Sequence, residues 1–195
     1  MLFSKRPSDL SSLRPTEDPV FGAVNRLLAV IREDDERGLV LSIAAFAEEC
    51  LGRLLLTYLR DGPAAKELVE GFNAPLGTLS ARIKACQAVG LLTDDQYRDL
   101  EFMRKVRNEF AHNWEGCSFS QQNISAWVAG MAESRTSSEP AETPKAKFRA
   151  NVSHILIELE YLRSTLGPGK RSAPVVATHL SPHPPTTDVS RPATP

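Results

Sequence analysis

Residues Asp94 to His112, DDQYRDLEFMRKVRNEFAH, constrain the fold most strongly. At roughly 100° per residue, Leu100, Phe102, Met103, Val106, Phe110 and Ala111 fill one broad half of a helix. Such a stripe must be covered by other helices. Arg107 falls among these apolar residues. An arginine on that side must be paired, with Glu48 as the available carboxylate, or must line a cleft or an interface. Asn108 and His112 form an i,i+4 pair on the polar side, near Glu101 and Arg104. Thr93 precedes Asp94, Asp95 and Gln96, which predicts an N-cap with a capping box and acids placed favourably for the helix dipole.

The same periodicity recurs along the chain. Asp18-Pro19 predicts the start of a helix over 19–34, with Phe21, Val24, Leu27, Leu28 and Ile31 inward. Gly38 is expected to break or loosen the chain. A central helix over 39–60 carries Leu41, Ala44, Leu51, Leu55 and Tyr58 on one face, together with Glu48. Asp61-Gly62-Pro63 stops it, and a shorter helix spans 63–71. The next helix starts at Gly77 or Thr78, buries Leu79, Ile83 and Cys86, and ends at Gly90, where a residue able to take positive φ is needed. Shorter signals predict helices over 121–133, with Ile124, Trp127 and Val128 inward, and over 145–166, with Phe148, Val152, Ile155, Leu159 and Leu162 inward. No alternating Val/Ile/Thr run bounded by turns is present. The expected class is all-α, a single bundle of about five to seven helices.

The chain has 195 residues. That suffices for one domain of roughly 150 residues plus tails. The expected organisation is a flexible arm over 1–17, a domain over 18–166 with a loop at 134–144, and a disordered tail over 167–195, which holds seven of the fourteen prolines. The net charge of −1 gives no whole-chain attraction to nucleic acid or anionic membrane. Cys50, Cys86 and Cys117 stand far apart, so neither a disulfide framework nor a zinc site is expected. No Gly-rich phosphate loop is present, and the expectation is no cofactor and no metal. The N-terminus lacks a signal-peptide core. The apolar run 39–59 contains Glu48, Glu49 and Arg53, as a buried soluble helix would. A cytoplasmic protein without a membrane partner is expected.

Two features bear on function. Residues 80–107 give helix, turn, helix, as in a DNA-reading hairpin. The second helix begins Thr-Asp-Asp-Gln, however, and residues 93–113 carry five acids against four bases. Phosphates would be repelled there, so direct DNA binding is not expected and a plain αα-hairpin is favoured. The second feature is Arg107-Asn108-x3-His112, which resembles the R-x4-H pattern of HEPN-type helical domains. That resemblance implies a dimer in which two motifs meet to cleave RNA without a metal. An imidazole suits proton transfer at a ribose hydroxyl, and a guanidinium suits a phosphate transition state. On an ideal helix Arg107 and His112 point about 140° apart, so a second subunit or an early helix end would have to unite them. The competing possibility is that Arg107 pairs with Glu48 and His112 caps a helix end. His154, near Asn151 and Glu158, suits a solvated or capping role, and His179 and His183 lie in the proline-rich tail.

The run Phe72 to Phe119 carries Pro75-Leu76-Gly77, Ser80-x-Arg82-Ile83-Lys84, Gly90-Leu91, Tyr97-x-x-Leu100 and the Arg-x4-His ending. In these it resembles the mannitol operon repressor (MltR-like) family, over residues 20 to 130. The resemblance implies an all-helical regulator of a mannitol or sugar-alcohol operon with no catalytic residues. It would act through a protein partner, another regulator. The alternative remains a metal-independent ribonuclease built on Arg107, Asn108 and His112.

Overall fold

A computed structural model describes residues 18, 21–30, 35–113, 115–132, 141–167 and 170–174; for Leu28 and Val30 it describes the backbone alone. The expectations for the arm 1–17, for Ile31, for residues 134–140 of the 134–144 loop, and for the tail at 168–169 and 175–195 with His179 and His183 fall outside these residues.

Among the described residues seven helices follow in order: α1 (Gly22–Val30), α2 (Glu36–Tyr58), α3 (Pro63–Val69), α4 (Leu79–Ala88), α5 (Asp94–His112), α6 (Gln122–Ala129) and α7 (Pro144–Thr165). Among the described residues the only extended pairing is an isolated bridge between Leu166 and Arg171. The protein is all-α.

The longest helix, α2, is the axis of the bundle. It packs on α1, α3, α4, α5 and α7. A helix enclosed on so many sides must be apolar nearly all round. Leu39, Val40, Ile43, Ala44, Ala47, Cys50, Leu51, Leu54 and Leu55 are accordingly buried. Its start corrects one expectation. Gly38 does not break the chain but lies in the first turn, where its amide donates to the Asp35 side chain at 2.7 Å. Asp35 is the N-cap of α2 and Glu36 a dipole-favoured first-turn acid.

The hairpin α4–α5 follows the local signals closely. Thr78 caps α4 by accepting from the Ala81 amide. Gly90 adopts φ 74°, while its amide donates to the Gln87 carbonyl and that of Leu91 to the Cys86 carbonyl. This closes α4 with a left-handed residue that a side chain would disfavour. The Thr93 hydroxyl accepts from the Gln96 amide, and the Gln96 side chain accepts from the Thr93 amide, completing the capping box of α5. At its other end, Arg37 donates to the carbonyls of Phe110 and Asn113, two of the acceptors that a helix C-terminus leaves open.

Leu100, Met103, Val106 and Phe110 of α5 are fully buried against α2, α4, α6 and α7. Phe119 lies between Phe110 and Phe148 of α7, with ring centroids 5.3 Å from each. A buried polar knot ties the C-terminal side of α6 to both long helices. Asp99 accepts from the Ala132 amide and from Asn151 Nδ2, and Asn151 Nδ2 also donates to the Ala132 carbonyl. Past Leu166 the chain turns back toward α2, where the Ala173 amide donates to the Tyr58 carbonyl at 2.8 Å.

Candidate functional site

Arg104, Arg107 and Asn108 stand at i, i+3 and i+4 on α5, so they share a face. This face meets the first turn of α4 and the flank of α2. Together with Glu48, Thr78, Leu79 and Ser80, they line a cleft of about 300 Å³. Only Leu79 among the seven is apolar.

Arg104 is half-buried and held by Glu101 through Nη2 to Oε2 at 2.8 Å and Nε to Oε1 at 3.2 Å. Arg107 differs. Its Nη1 donates to Asn108 Oδ1 at 3.2 Å, and no carboxylate among the described residues pairs with it. Of the alternatives open for Arg107, the ion pair with Glu48 is absent and Arg107 lines a cleft. Both side chains are half-buried and reach water, so desolvation does not force them together. Among the described residues the cleft thus holds a guanidinium and a carboxylate without ionic partners, and hydroxyl and amide groups line it too.

His112 is placed elsewhere. It is exposed, lies outside the residues lining the cleft, and ends a helix that stays regular to its last residue. Because α5 does not end early, Arg107 and His112 diverge within one chain. Asn108 stays with Arg107. His154 pairs with Glu158 across one turn of α7, with Nε2 3.0 Å from Oε1. Among the described residues no group of three or more His, Cys, Asp or Glu side chains could hold a metal ion.

Among the motif residues from Pro75 to Lys84, Ile83 is fully buried and Arg82 is a clamp. Arg82, at the centre of them, donates to three backbone carbonyls: Leu76 through Nε at 2.8 Å, Glu48 through Nη1 at 2.7 Å and Val69 through Nη2 at 2.9 Å. It pins the Pro75-Leu76-Gly77 turn and the end of α3 to α2. In doing so it sets the distance between Glu48 and the start of α4, two walls of the cleft. Thr78, Ser80 and Arg104 were missed as cleft residues. The spacing of Arg104 from Arg107 was the available signal.

A second charged cluster joins α2 to α7. Glu160, whose side chain is 2% exposed, accepts from Arg53 Nη2 at 2.8 Å, Arg163 Nη2 at 2.9 Å and Cys50 Sγ at 3.2 Å. Burial alone would raise its carboxyl pKa. The hydrogen bonds from Cys50, Arg163 and Arg53, with the Arg53 charge, outweigh burial and hold it below the ordinary carboxylate range. The Cys50 thiol is pushed far up by burial and by the Glu160 charge, and burial pushes Cys86 up to about 12. Neither is a ready nucleophile. A depressed carboxyl pKa contributes stability that is fully present above the ordinary carboxylate range and is lost as pH falls through the folded value. Glu160→Gln should therefore lower unfolding free energy near neutrality. Its deficit relative to the parent should shrink as pH is lowered from about 7 to about 3 in urea titrations. A deficit independent of pH would show that the charge contributes nothing.

Comparison with known proteins adds the following. A family model described as mannitol repressor, MtlR, matches residues 23–166. The mannitol operon repressor of Escherichia coli K12 is 27% identical over 125 residues, which make up 61% of this chain and 64% of that protein. The protein of the same name from Escherichia coli O6:H1 matches equally. The chain thus spans 64% of the length of these curated relatives. Among solved structures, a chain in the X-ray structure of the MtlR-HPr complex from Escherichia coli superposes with a TM-score of 0.50 at 21% identity, covering 72% of this chain and 96% of its own length. At that identity the likeness is one of fold.

Proposed function

The chain belongs to the mannitol repressor family, and from that premise we propose that it represses a mannitol or sugar-alcohol operon through contacts with a protein partner, without catalysis. The match of the family model to residues 23–166 carries this proposal. It acts in the cytoplasm as a homodimer, with residues 18–166 as the acting domain. No helix among the described residues is long and apolar enough to cross a membrane.

The second helix of the α4–α5 hairpin supports an indirect mode of action. A recognition helix must offer one face to the major groove. Here α5 is packed on four other helices and opens with Asp94 and Asp95 at the end that would meet DNA. A same-fold chain has been solved with HPr, which makes HPr the first partner to test.

The full chain should bind HPr of its own cell in titration calorimetry and should give no operator shift at low salt. A His112→Ala variant should repress a mannitol-operon reporter as the parent does. The competing ribonuclease predicts RNA cleavage that survives EDTA and disappears in His112→Ala. That result, or a salt-sensitive operator shift, would overturn the proposal.

A further inference from the structure

The cleft between α2, α4 and α5 has a composition that a purely structural groove does not need. Six of its seven lining residues are polar or charged, and its charges are not spent on one another among the described residues. Arg104 is neutralised by Glu101, but Arg107 touches only an amide oxygen. The α4 start adds the amides of Leu79 and Ser80, which lie in the turn whose N–H groups have no partner within the helix. Arg107, Ser80 and this turn make one end of the cleft a place for an anion with several acceptor oxygens. Glu48 contributes the opposite chemistry, a carboxylate that accepts hydrogen bonds. Thr78 and Asn108 can both donate and accept.

We propose that this cleft binds a small polyol monophosphate, with the phosphate on Arg107 and the first turn of α4, and the hydroxyls on Glu48, Thr78 and Asn108. The volume of about 300 Å³ is at the small end of ligand sites and suits such a molecule. An apolar ligand would cover Arg107 and Glu48 without offering either a partner. A nucleic acid backbone would bring successive phosphates against Glu48. A small zwitterion would satisfy Arg107 and Glu48 but leave the hydroxyl and amide groups unused. A chain of hydroxyls ending in a dianionic phosphate uses all of them. The ligand contacts are independent of repression, so binding by the isolated protein tests this site whether or not the regulatory proposal holds.

The test is titration calorimetry of the full chain with three probes: a hexitol 1-phosphate, the same hexitol without phosphate, and inorganic phosphate. The hexitol phosphate should bind more tightly than either fragment. Arg107→Ala should weaken it on the order of tenfold or more, and Arg107→Lys should weaken it less. Glu48→Gln should weaken the hexitol phosphate but not inorganic phosphate. Should Arg107→Ala fail to fold, Ser80→Asp serves instead. An acid in the first turn of α4 favours the helix but repels a phosphate, so this variant should fold and lose binding. No binding of the hexitol phosphate by the parent would overturn the proposal. So would affinity no better than that of inorganic phosphate, or binding unchanged in Arg107→Ala or Ser80→Asp. A free amino acid that displaces the hexitol phosphate at lower concentration would overturn it as well.

Discussion

Phe110→Ala should lower the unfolding free energy by about 4 kcal/mol, as expected for truncating a fully buried phenylalanine. The side chain is wholly inaccessible. It sits where three parts of the molecule meet: the last turn of α5, the segment carrying Phe119, and α7 through Phe148. Removing the ring deletes one end of a three-ring stack and leaves a void walled by helices that are held apart by other contacts, so collapse can fill only part of it. For a chain of this size the loss corresponds to a fall in Tm of roughly 8–16 °C. Urea unfolding followed by circular dichroism measures it directly. Phe110→Leu, which fills more of the space, should cost less than half as much. Equal losses from the two would mean that ring geometry rather than volume stabilises the site. A loss below about 1 kcal/mol in Phe110→Ala would mean that the last turn of α5 is not part of the cooperative core.

Phe110 was legible in the sequence, as was most of α5. Its boundaries, Asp94 to His112, were marked by short-range chemistry: Thr93 and Gln96 for the cap, two acids in the first turn, and apolar residues at helical spacing. Gly90 was legible for the same reason, because a left-handed residue after α4 is a local requirement. What failed was long-range. Gly38 looked like a breaker because glycine alone carries no sign of whether the preceding aspartate caps a helix or continues a loop. Whether Arg107 pairs with Glu48 or lines a cleft stayed open in the sequence, because helical spacing gives a side chain's direction but not the distance to a residue 59 positions earlier (107 − 48). Asp99 and Asn151 gave no hint of their mutual bond, since each is common on exposed helical faces. The cleft was half legible: Arg107 and Asn108 were singled out, but their grouping with Thr78 and Ser80 depends on how α4 docks on α5. His112 was drawn into the same motif by sequence adjacency and separated from it by helix geometry.

The largest long-range effect with no sequence signature is that of Arg82. Arg82→Ala should destabilise the protein by about 3 kcal/mol, with a Tm fall of roughly 6–12 °C. Its acceptors are backbone carbonyls, which every residue has, so nothing in the sequence names them. A planar guanidinium can serve all three because its N–H groups diverge in fixed directions toward Leu76, Glu48 and Val69. Gly52 permits the approach. A Cβ there would lie 2.9 Å from Arg82 Nη1, so the helix face under the guanidinium must be bare. Removing the side chain at 82 would take a donor from three carbonyls: those of Val69 and Leu76, which lie at or beyond the end of α3, and that of Glu48, which keeps its bond within α2. Arg82→Lys tests the geometry separately from the charge. A single ammonium cannot reach three divergent acceptors, so Lys should recover less than half of the loss. Full recovery by Lys would mean that positive charge alone is required. If Lys recovers little, the clamp is geometric, and the turn before α4 should exchange its amide hydrogens faster in the Lys variant than in the parent while α7 remains unchanged. Because Arg82 ties Glu48 on α2 to the approach of α4, that local loosening would also widen the cleft between Glu48 and Ser80 without touching any residue that lines it.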